Sequence, residues 1–144
     1  MVGMIEFRRH RTNTAPIRHM AKDPDLCTMG TAVTQDIRVT ARSRYEPGHS
    51  HPTAARFLFS YRITTTNHGR ETVKLKSRHW WIRDSLADLR EVEGPGVVGE
   101  TPTLAPGEEY SYSSMCDLRS GLGAMHGTYR MVRLTDGLEF DVRI

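Results

Sequence analysis

Hydrophobic and polar residues alternate along most of the chain after its first thirty residues. The clearest stretch is 56–67, where Phe57, Phe59, Tyr61 and Ile63 occupy every second position. A period of two, carried by aromatic and β-branched residues, is typical of a β-strand. The last residues show the same alternation, in the order Leu138, Phe140, Val142 and Ile144. Both segments are therefore predicted to be strands.

Weaker patterns between turn-forming residues predict the remaining strands. They lie at 33–41, 73–76 with the following Trp80–Ile82, 89–92, 110–112 and 128–134. Asn67-His68-Gly69 should turn the chain from the 56–67 strand into a partner strand at Val73, because Asn and Gly tolerate positive φ. Residues 45–53 and 120–127 are rich in Gly, Pro, Ser and His and are predicted to be loops. Trp80, Trp81 and Ile82 place large residues on both faces of this strand, which indicates a fully buried stretch, a bulge or an exposed aromatic.

About seven short strands without any helical period favour an all-β fold. Frequent turn signals between short strands are typical of a two-sheet β-sandwich of the immunoglobulin or fibronectin-III type. The 144 residues, 38% of them hydrophobic, suffice for the core of one domain. We expect that domain to span residues 31–144.

Residues 1–30 differ in character and are predicted to form a basic, largely irregular N-terminal arm. They are interrupted by Pro16 and Pro24 and show no sustained periodicity. Their cationic side chains belong to Arg8, Arg9, Arg11, Arg18 and Lys22. Such a segment would lie against negative charge, either an acidic protein surface or the phosphate backbone of a ribonucleoprotein.

Composition excludes several classes of protein. No run approaches the roughly 20 apolar residues of a membrane helix, so a membrane-spanning protein is excluded. The opening residues lack the apolar region of a secretory signal. Cys27 and Cys116 are far apart and form neither a disulfide framework nor a zinc ribbon. We expect a cytoplasmic protein, with an Arg-rich mitochondrial targeting segment as the alternative.

The charge is unevenly distributed. Residues 38–83 carry ten Lys or Arg against two Glu, whereas residues 84–109 carry seven carboxylates against Arg90. Neighbouring strands of opposite charge can neutralise one another across a sheet. We expect such neutralisation here, and one uncompensated basic face is the alternative.

Gly94, Gly96 and Gly99 fit the spacing GxGxxG of dinucleotide-binding loops. In those folds a helix follows and its N-terminus holds the pyrophosphate, but here Pro102 and Pro106 follow. The segment is therefore interpreted as a tight inter-strand loop. A nest of backbone N–H groups that binds phosphate, assisted by neighbouring arginines, is the alternative.

Other candidate chemistry is incomplete. His49 and His51 form one close pair, short of the three or four ligands of a metal site, so no metal or other cofactor is expected. Nothing marks Cys116, with His126, as an activated nucleophile. Adjacent Trp80 and Trp81 should face opposite sides of a strand, so that one is free to anchor an interface.

The chain resembles the ApaG family over roughly residues 31–144. The matching residues fall in place together, as Ser77-Arg78-His79-Trp80, Gly94-x-Gly96-Val97-Val98-Gly99, Pro102, Leu104-x-Pro106-Gly107-Glu108 and Met125-x-Gly127-x-Tyr129-x-Met131. The resemblance implies an immunoglobulin-like or fibronectin-III-like sandwich with no firmly assigned enzymatic activity. It links bacterial members to diadenosine-polyphosphate metabolism and divalent-cation tolerance, and eukaryotic relatives to protein-interaction modules.

These observations predict a non-enzymatic interaction domain that binds a partner protein, as a subunit of a larger, ribonucleoprotein assembly. The alternative is a protein that binds pyrophosphate or a nucleotide through the Gly-rich loop. The predicted contact residues are Arg78, His79, Trp80, Trp81, Gly94, Gly96 and Gly99. Nucleic acid is expected to contact the N-terminal arm.

Overall fold

A computed structural model describes residues 4–9 and 28–144, which form ten β-strands and two single-turn 3₁₀ helices. The strands are β1 (Ile5–Arg8), β2 (Thr28–Thr34), β3 (Ile37–Tyr45), β4 (Phe57–Asn67), β5 (Val73–Asp84), β6 (Ala87–Pro95), β7 (Thr103–Leu104), β8 (Glu109–Leu118), β9 (Leu122–Arg133) and β10 (Glu139–Arg143). The 3₁₀ helices are Pro47–His49 and Pro52–Ala54. The predicted all-β class is confirmed.

The strands form two antiparallel sheets, packed face to face as a sandwich. Sheet A has the order β1-β9-β5-β6, with β10 added beside β1 on β9 and β7 added on β5. Sheet B has the order β2-β3-β4-β8. Side chains from both inner faces fill the core, among which Tyr129, Phe7, Phe59, Ile37 and Ile63 are almost completely buried.

The predicted first strand at 33–41 is a hairpin of two strands. β2 and β3 pair from Thr28↔Ser43 to Thr34↔Ile37, which leaves a two-residue loop, Gln35 and Asp36. Both have positive φ, 45° and 64°, which is the conformation of a type I′ turn. The prediction missed this turn because its usual glycine is absent.

The segment after Asn67 connects the two sheets and does not close a hairpin, so the predicted pairing of β4 with the strand at Val73 is wrong. β4 pairs with β3 and β8, whereas β5 pairs with β9, β6 and β7. The buried Asn67 side chain holds this corner. Its amide nitrogen donates to the carbonyls of Glu71 and Leu104 at 2.8 and 3.0 Å, and its oxygen accepts from the Gly69 amide at 2.9 Å.

The predicted loop at 120–127 is also wrong for most of its length, because β9 begins at Leu122. Two glycines of β9 allow the neighbouring strand β5 to approach closely. A Cβ at Gly123 would lie 2.5 Å from the carbonyl oxygen of Arg83, and one at Gly127 would lie 2.1 Å from that of His79. Here glycine signals close approach of β5 and not a turn.

The N-terminal segment departs from the predicted irregular arm in its described part. Ile5–Arg8 form β1, which pairs with β9 from Ile5↔Met125 to Arg8↔Leu122. Phe7 is fully buried, and its ring lies 5.0 Å from that of Phe59. Ile5 and Phe7 are core side chains. The sequence did not identify them because their alternation is short and arginines follow it. Residues 10–27 lie outside the described residues.

The two sides of the sandwich differ. On one side β1 and β10 lie against sheet B, where the Ser43 hydroxyl donates to the Glu6 carbonyl at 2.6 Å and the Arg143 amide donates to Thr34 Oγ1 at 3.2 Å. On the other side the edge strands β6 and β8 diverge and leave a cleft between the sheets.

Candidate binding cleft

A bulge in β5 decides which predicted site residues meet. The pairing of β5 with β9 shifts between Leu75↔Met131 and Ser77↔Arg130, which changes the residues that face the core from odd to even numbers. Trp80 is consequently buried, 3% exposed, whereas Trp81 is half-buried on the outside of sheet A. The predicted contact residues are therefore divided: Arg78 and Trp80 face inward, and His79 and Trp81 face outward.

The cleft between β6 and β8 has a volume of about 390 Å³. Its lining combines aromatic, apolar and cationic side chains. They include Tyr61, Arg78, Trp80, Arg90, Val92, Val98, Tyr112, Ser114, Met115 and Cys116. Nothing in the sequence indicates that Tyr61, Tyr112 and Met115 belong to this cleft, because β4 and β8 meet β5 and β6 only through the packing of the two sheets.

Arg78 closes one end of the cleft by holding the Gly-rich loop. Its Nη1 donates to the carbonyls of Pro95 and Gly96 at 3.0 and 2.9 Å. The guanidinium lies on Gly94, where a Cβ would be 3.4 Å from Nη1. Arg78 thus contacts the loop through the loop's own backbone carbonyl groups.

The Gly-rich loop is a tight β-hairpin, as its favoured interpretation predicted. Val97 and Glu100 exchange backbone hydrogen bonds of 2.8 and 2.9 Å across Val98 and Gly99, whose φ values are 44° and 79°. The Gly96 amide donates to the Lys76 carbonyl at 2.8 Å. Amides of Gly96, Val97 and Glu100 are therefore already hydrogen-bonded, which weakens the case for a phosphate nest in this loop.

Arg90 crosses the cleft from β6 to β8. Its Nη2 donates to the Asp117 carbonyl at 2.9 Å and approaches Cys116 Sγ at 3.4 Å. Burial raises the pKa of the Cys116 thiol to about 11, although Arg90 acts in the opposite direction. His126 stacks on Trp81 on the outside of sheet A, so Cys116 and His126 do not form a nucleophile pair, in agreement with the sequence analysis.

The floor of the cleft is a buried aromatic cluster. The Tyr112 and Tyr129 hydroxyls are 2.5 Å apart, and the ring of Trp80 makes edge contacts with Tyr61 and Tyr129. Burial is the largest cause of the raised pKa values of Tyr61, Tyr112 and Tyr129. The Tyr112 and Tyr129 hydroxyls are hydrogen-bonded to each other and Tyr61 to Ser114, so this floor has no unpaired buried side-chain polar atom among the described residues.

On the outside of sheet A, Trp81 is stacked between two histidines. Its ring lies 3.9 Å from that of His79 and 5.4 Å from that of His126. His79 Nε2 also contacts a carboxylate oxygen of Glu91. Among the described residues, no three His, Cys, Asp or Glu side chains converge as a metal site.

Two of the predicted arm contacts are described, and both are internal. Arg8 forms an ion pair with Glu6 at 3.0 Å, and the Arg9 guanidinium lies 5.8 and 5.5 Å from the ring centres of Tyr45 and Phe57. The other predicted contacts, Arg11, Arg18 and Lys22, lie outside the described residues.

Comparison with known proteins identifies relatives across most of the chain. Residues 47–133 match the ApaG domain family. Protein ApaG of Anaeromyxobacter dehalogenans strain 2CP-C is 50% identical over 116 residues, which are 81% of this chain and 90% of the relative. Protein ApaG of Methylobacterium sp. strain 4-46 is 45% identical over 116 residues, 81% of this chain and 88% of its own.

A solved structure has the same architecture. The crystal structure of a Bordetella pertussis protein described as ApaA superposes with a TM-score of 0.73 and 41% identity, over 76% of this chain and 88% of that one. Within the described residues, no helix has the length and apolar character needed to cross a membrane.

Proposed function

This chain belongs to the ApaG family, and we propose that it is a non-enzymatic interaction domain that binds an extended segment of a partner protein at the cleft between β6 and β8. The observation that carries this proposal is the exposure of β6. Every residue of Ala87–Glu93 is exposed, and β6 is the last strand of sheet A in the described structure. An edge strand offers its unpaired backbone groups to another strand.

The rim of the cleft supplies apolar contacts beside that edge. Val92, Val98 and Met115 are 36, 56 and 57% exposed and all line the cleft. Adding a strand to β6 would cover these side chains, and Arg78 and Arg90 would face acidic residues of the added segment. Hydrogen bonds along the edge supply affinity in this mode of binding, whereas the neighbouring pocket supplies specificity.

The arrangement of titratable groups favours binding over catalysis. Cys116 is buried with a raised pKa, His126 is on the outer face of sheet A, the Tyr112 and Tyr129 hydroxyls are hydrogen-bonded to each other, and Tyr61 is hydrogen-bonded to Ser114. A general base or nucleophile needs a partner within hydrogen-bond reach and a pKa near the working pH. The described cleft residues do not provide that combination.

Quantitative affinity capture with two charge-insertion variants tests the binding surface. We expect Val92→Glu combined with Met115→Glu to lose the partners that the unmodified protein retains. Leu134→Glu, at an apolar residue that is 51% exposed but lies at the turn after β9, should retain them. Hydrogen exchange of a captured complex should show new protection in β6. Identical partner sets for all three proteins, each with an unchanged melting temperature, would refute binding at this cleft.

A second candidate function is binding of pyrophosphate or a nucleotide, in line with the family's link to dinucleotide polyphosphates and divalent-cation tolerance. Two guanidinium groups, those of Arg78 and Arg90, line one cleft and could hold an anion without the loop amides. A ligand that binds only the native state raises the melting temperature. We expect pyrophosphate at millimolar concentration to do so, and Arg90→Gln to abolish the effect. Absence of both a thermal shift and calorimetric heat would eliminate this function.

Membership of a ribonucleoprotein and a mitochondrial location stay predictions from the sequence. The relatives named above are bacterial, and their names mention neither. Co-sedimentation of the full chain with ribosomal or other ribonucleoprotein particles from its source would support the first. Recovery of the chain only in fractions free of such particles would contradict it.

A further inference from the structure

The outer face of sheet B carries four exposed arginines, and we propose that this face binds the phosphate backbone of double-stranded RNA without reading its sequence. Arg38, Arg42 and Arg44 occupy alternate, outward positions of β3, and Arg62 is directly opposite Arg42 on β4. We define these four residues as the arginine face. It lies on the opposite side of sheet B from the core, and none of its four arginines lines the cleft, so its function is independent of the one proposed above.

The expected neutralisation by the acidic segment does not occur on this face. Of residues 84–109, Asp88, Glu91 and Glu93 lie on or beside β6, at the far edge of sheet A. Only Glu109 of that segment lies in sheet B, opposite Thr66 at one end of β4. Strand order, which the sequence did not reveal, therefore separates the arginines of β3 and β4 from the acidic β6, whereas the basic residues of β5 lie beside β6.

Most of the arginine face also lacks compensation from its own sheet. Arg44 is 3.6 Å from a carboxylate oxygen of Glu46, whereas Arg38, Arg42 and Arg62 form no ion pair with any described residue. Arg42 and Arg62 are direct cross-strand neighbours. Like charges in that position destabilise a sheet, so a bound polyanion would remove a repulsion as well as add attraction.

The residues between the arginines suit a sugar–phosphate backbone. Outward hydroxyls form a row across the face, in which Thr31 and Thr40 are 3.3 Å apart and Thr64 and Ser111 are 2.7 Å apart. Hydroxyl groups both donate to and accept from a ribose 2′-OH, the group that distinguishes RNA from DNA. Arginine forks bind phosphate oxygens in pairs.

The outward positions of β3, β4 and β8 carry no aromatic side chain within the described structure. This absence favours double-stranded over single-stranded RNA as the ligand. They are Arg, Thr, Ser, Leu, Met, Glu and Asp residues. Single-stranded RNA is held largely by bases stacked on aromatic side chains, which this face does not offer. A duplex presents instead a wide, shallow minor groove bordered by phosphates, which the outer face of a sheet can approach. Arg38 and Arg44 are roughly 20 Å apart along β3, so the face can contact several phosphates at once.

Fluorescence anisotropy with a labelled RNA duplex of arbitrary sequence tests the proposal on the full chain. We expect binding in the micromolar range near physiological salt, and weaker binding as KCl is raised, with a log–log slope near −3 for three to four phosphate contacts. Arg42→Glu with Arg62→Glu should weaken binding at least tenfold. Arg83→Glu with Arg143→Glu, an equal charge change on exposed residues of sheet A, should weaken it less than about threefold.

Several results would overturn the assignment. Equal losses for the two double variants would show that net charge alone drives binding, and no binding at 50 mM KCl would exclude nucleic acid. A DNA duplex that binds as tightly would remove the role of the ribose hydroxyl. A poly-glutamate peptide that displaces the RNA at equal charge would identify the partner as an acidic protein. Arg42→Gln with Arg62→Gln provides a neutral variant if charge reversal prevents folding, and its binding should still fall severalfold.

Discussion

Gly127 on β9 lies directly opposite Trp80 on β5, and a Cβ at position 127 would be 2.1 Å from the His79 carbonyl oxygen and 3.0 Å from Trp80 Cε3. The glycine allows the two central strands of sheet A, β5 and β9, to approach closely beside the Trp80 ring. That ring in turn forms part of the floor of the cleft, so backbone approach at one residue determines the shape of the candidate binding site.

We expect Gly127→Ala to destabilise the fold by about 3 kcal/mol or more, because the obstructing atom belongs to the backbone and cannot rotate away. Chemical denaturation monitored by Trp fluorescence measures the loss. Gly48→Ala is the matched control, since a Cβ there would meet nothing within 4 Å. Equal stability of the two variants would show that β5 and β9 separate easily.

Phe7→Ala should cost about 3–5 kcal/mol, because the Phe7 side chain is completely buried against Phe59. Met4→Ala, at a residue that is 45% exposed in the same segment, should change the free energy of unfolding by less than about 1 kcal/mol. Similar small effects for both substitutions would mean that the N-terminal segment is dispensable for folding. Removal of residues 1–30 is accordingly expected to destabilise the sandwich, since it deletes β1.

The Tyr112–Tyr129 hydroxyl pair should be energetically coupled. Tyr129→Phe leaves the buried Tyr112 hydroxyl without its 2.5 Å partner and should cost about 1–3 kcal/mol. Replacing both tyrosines by phenylalanine should cost less than the sum of the two single changes. A double-mutant cycle in urea measures this coupling, and strictly additive effects would argue against a hydrogen bond between these hydroxyls.

Stability should decline at alkaline pH. Burial raises the pKa values of Tyr61, Tyr112 and Tyr129, whereas in the unfolded chain the pKa of each phenol is about 10. Above that pH the unfolded state binds fewer protons than the native state, so the free energy of unfolding falls as pH rises. The fall approaches about 1.4 kcal/mol per pH unit for each group. Denaturation midpoints between pH 8 and 11.5 measure it, and Tyr112→Phe should show a shallower slope; parallel slopes would contradict the assignment.

Cys116 should be unreactive in the native protein. It is 5% exposed, and burial raises the pKa of its thiol to about 11, so little thiolate is present at pH 8. In a Cys27→Ser background, Ellman's reagent should modify Cys116 only after unfolding in guanidinium chloride. Rapid modification of the folded protein would instead indicate an activated thiol and reopen the nucleophile hypothesis.

Strict alternation of hydrophobic and polar residues was sufficient to predict two of the strands. β4 and β10 followed from a period of two alone, and the GxGxxG segment was correctly interpreted as an inter-strand loop because prolines and not a helix follow it. Such features depend on local backbone preference and on turn chemistry, which are encoded within a few neighbouring residues.

Which strands are neighbours depends on long-range contacts that the sequence pattern does not show. The crossing at Asn67, the bulge after Leu75 and the close approach at Gly127 are each set by residues distant in sequence. These long-range contacts divide the predicted contact residues between two faces of β5, place Tyr61 and Tyr112 beside Arg78, and separate the arginine face from the acidic β6. Alternation along one strand shows that its side chains point to two opposite faces. Which side meets the core, and which charges become neighbours, depends on pairing and register between strands.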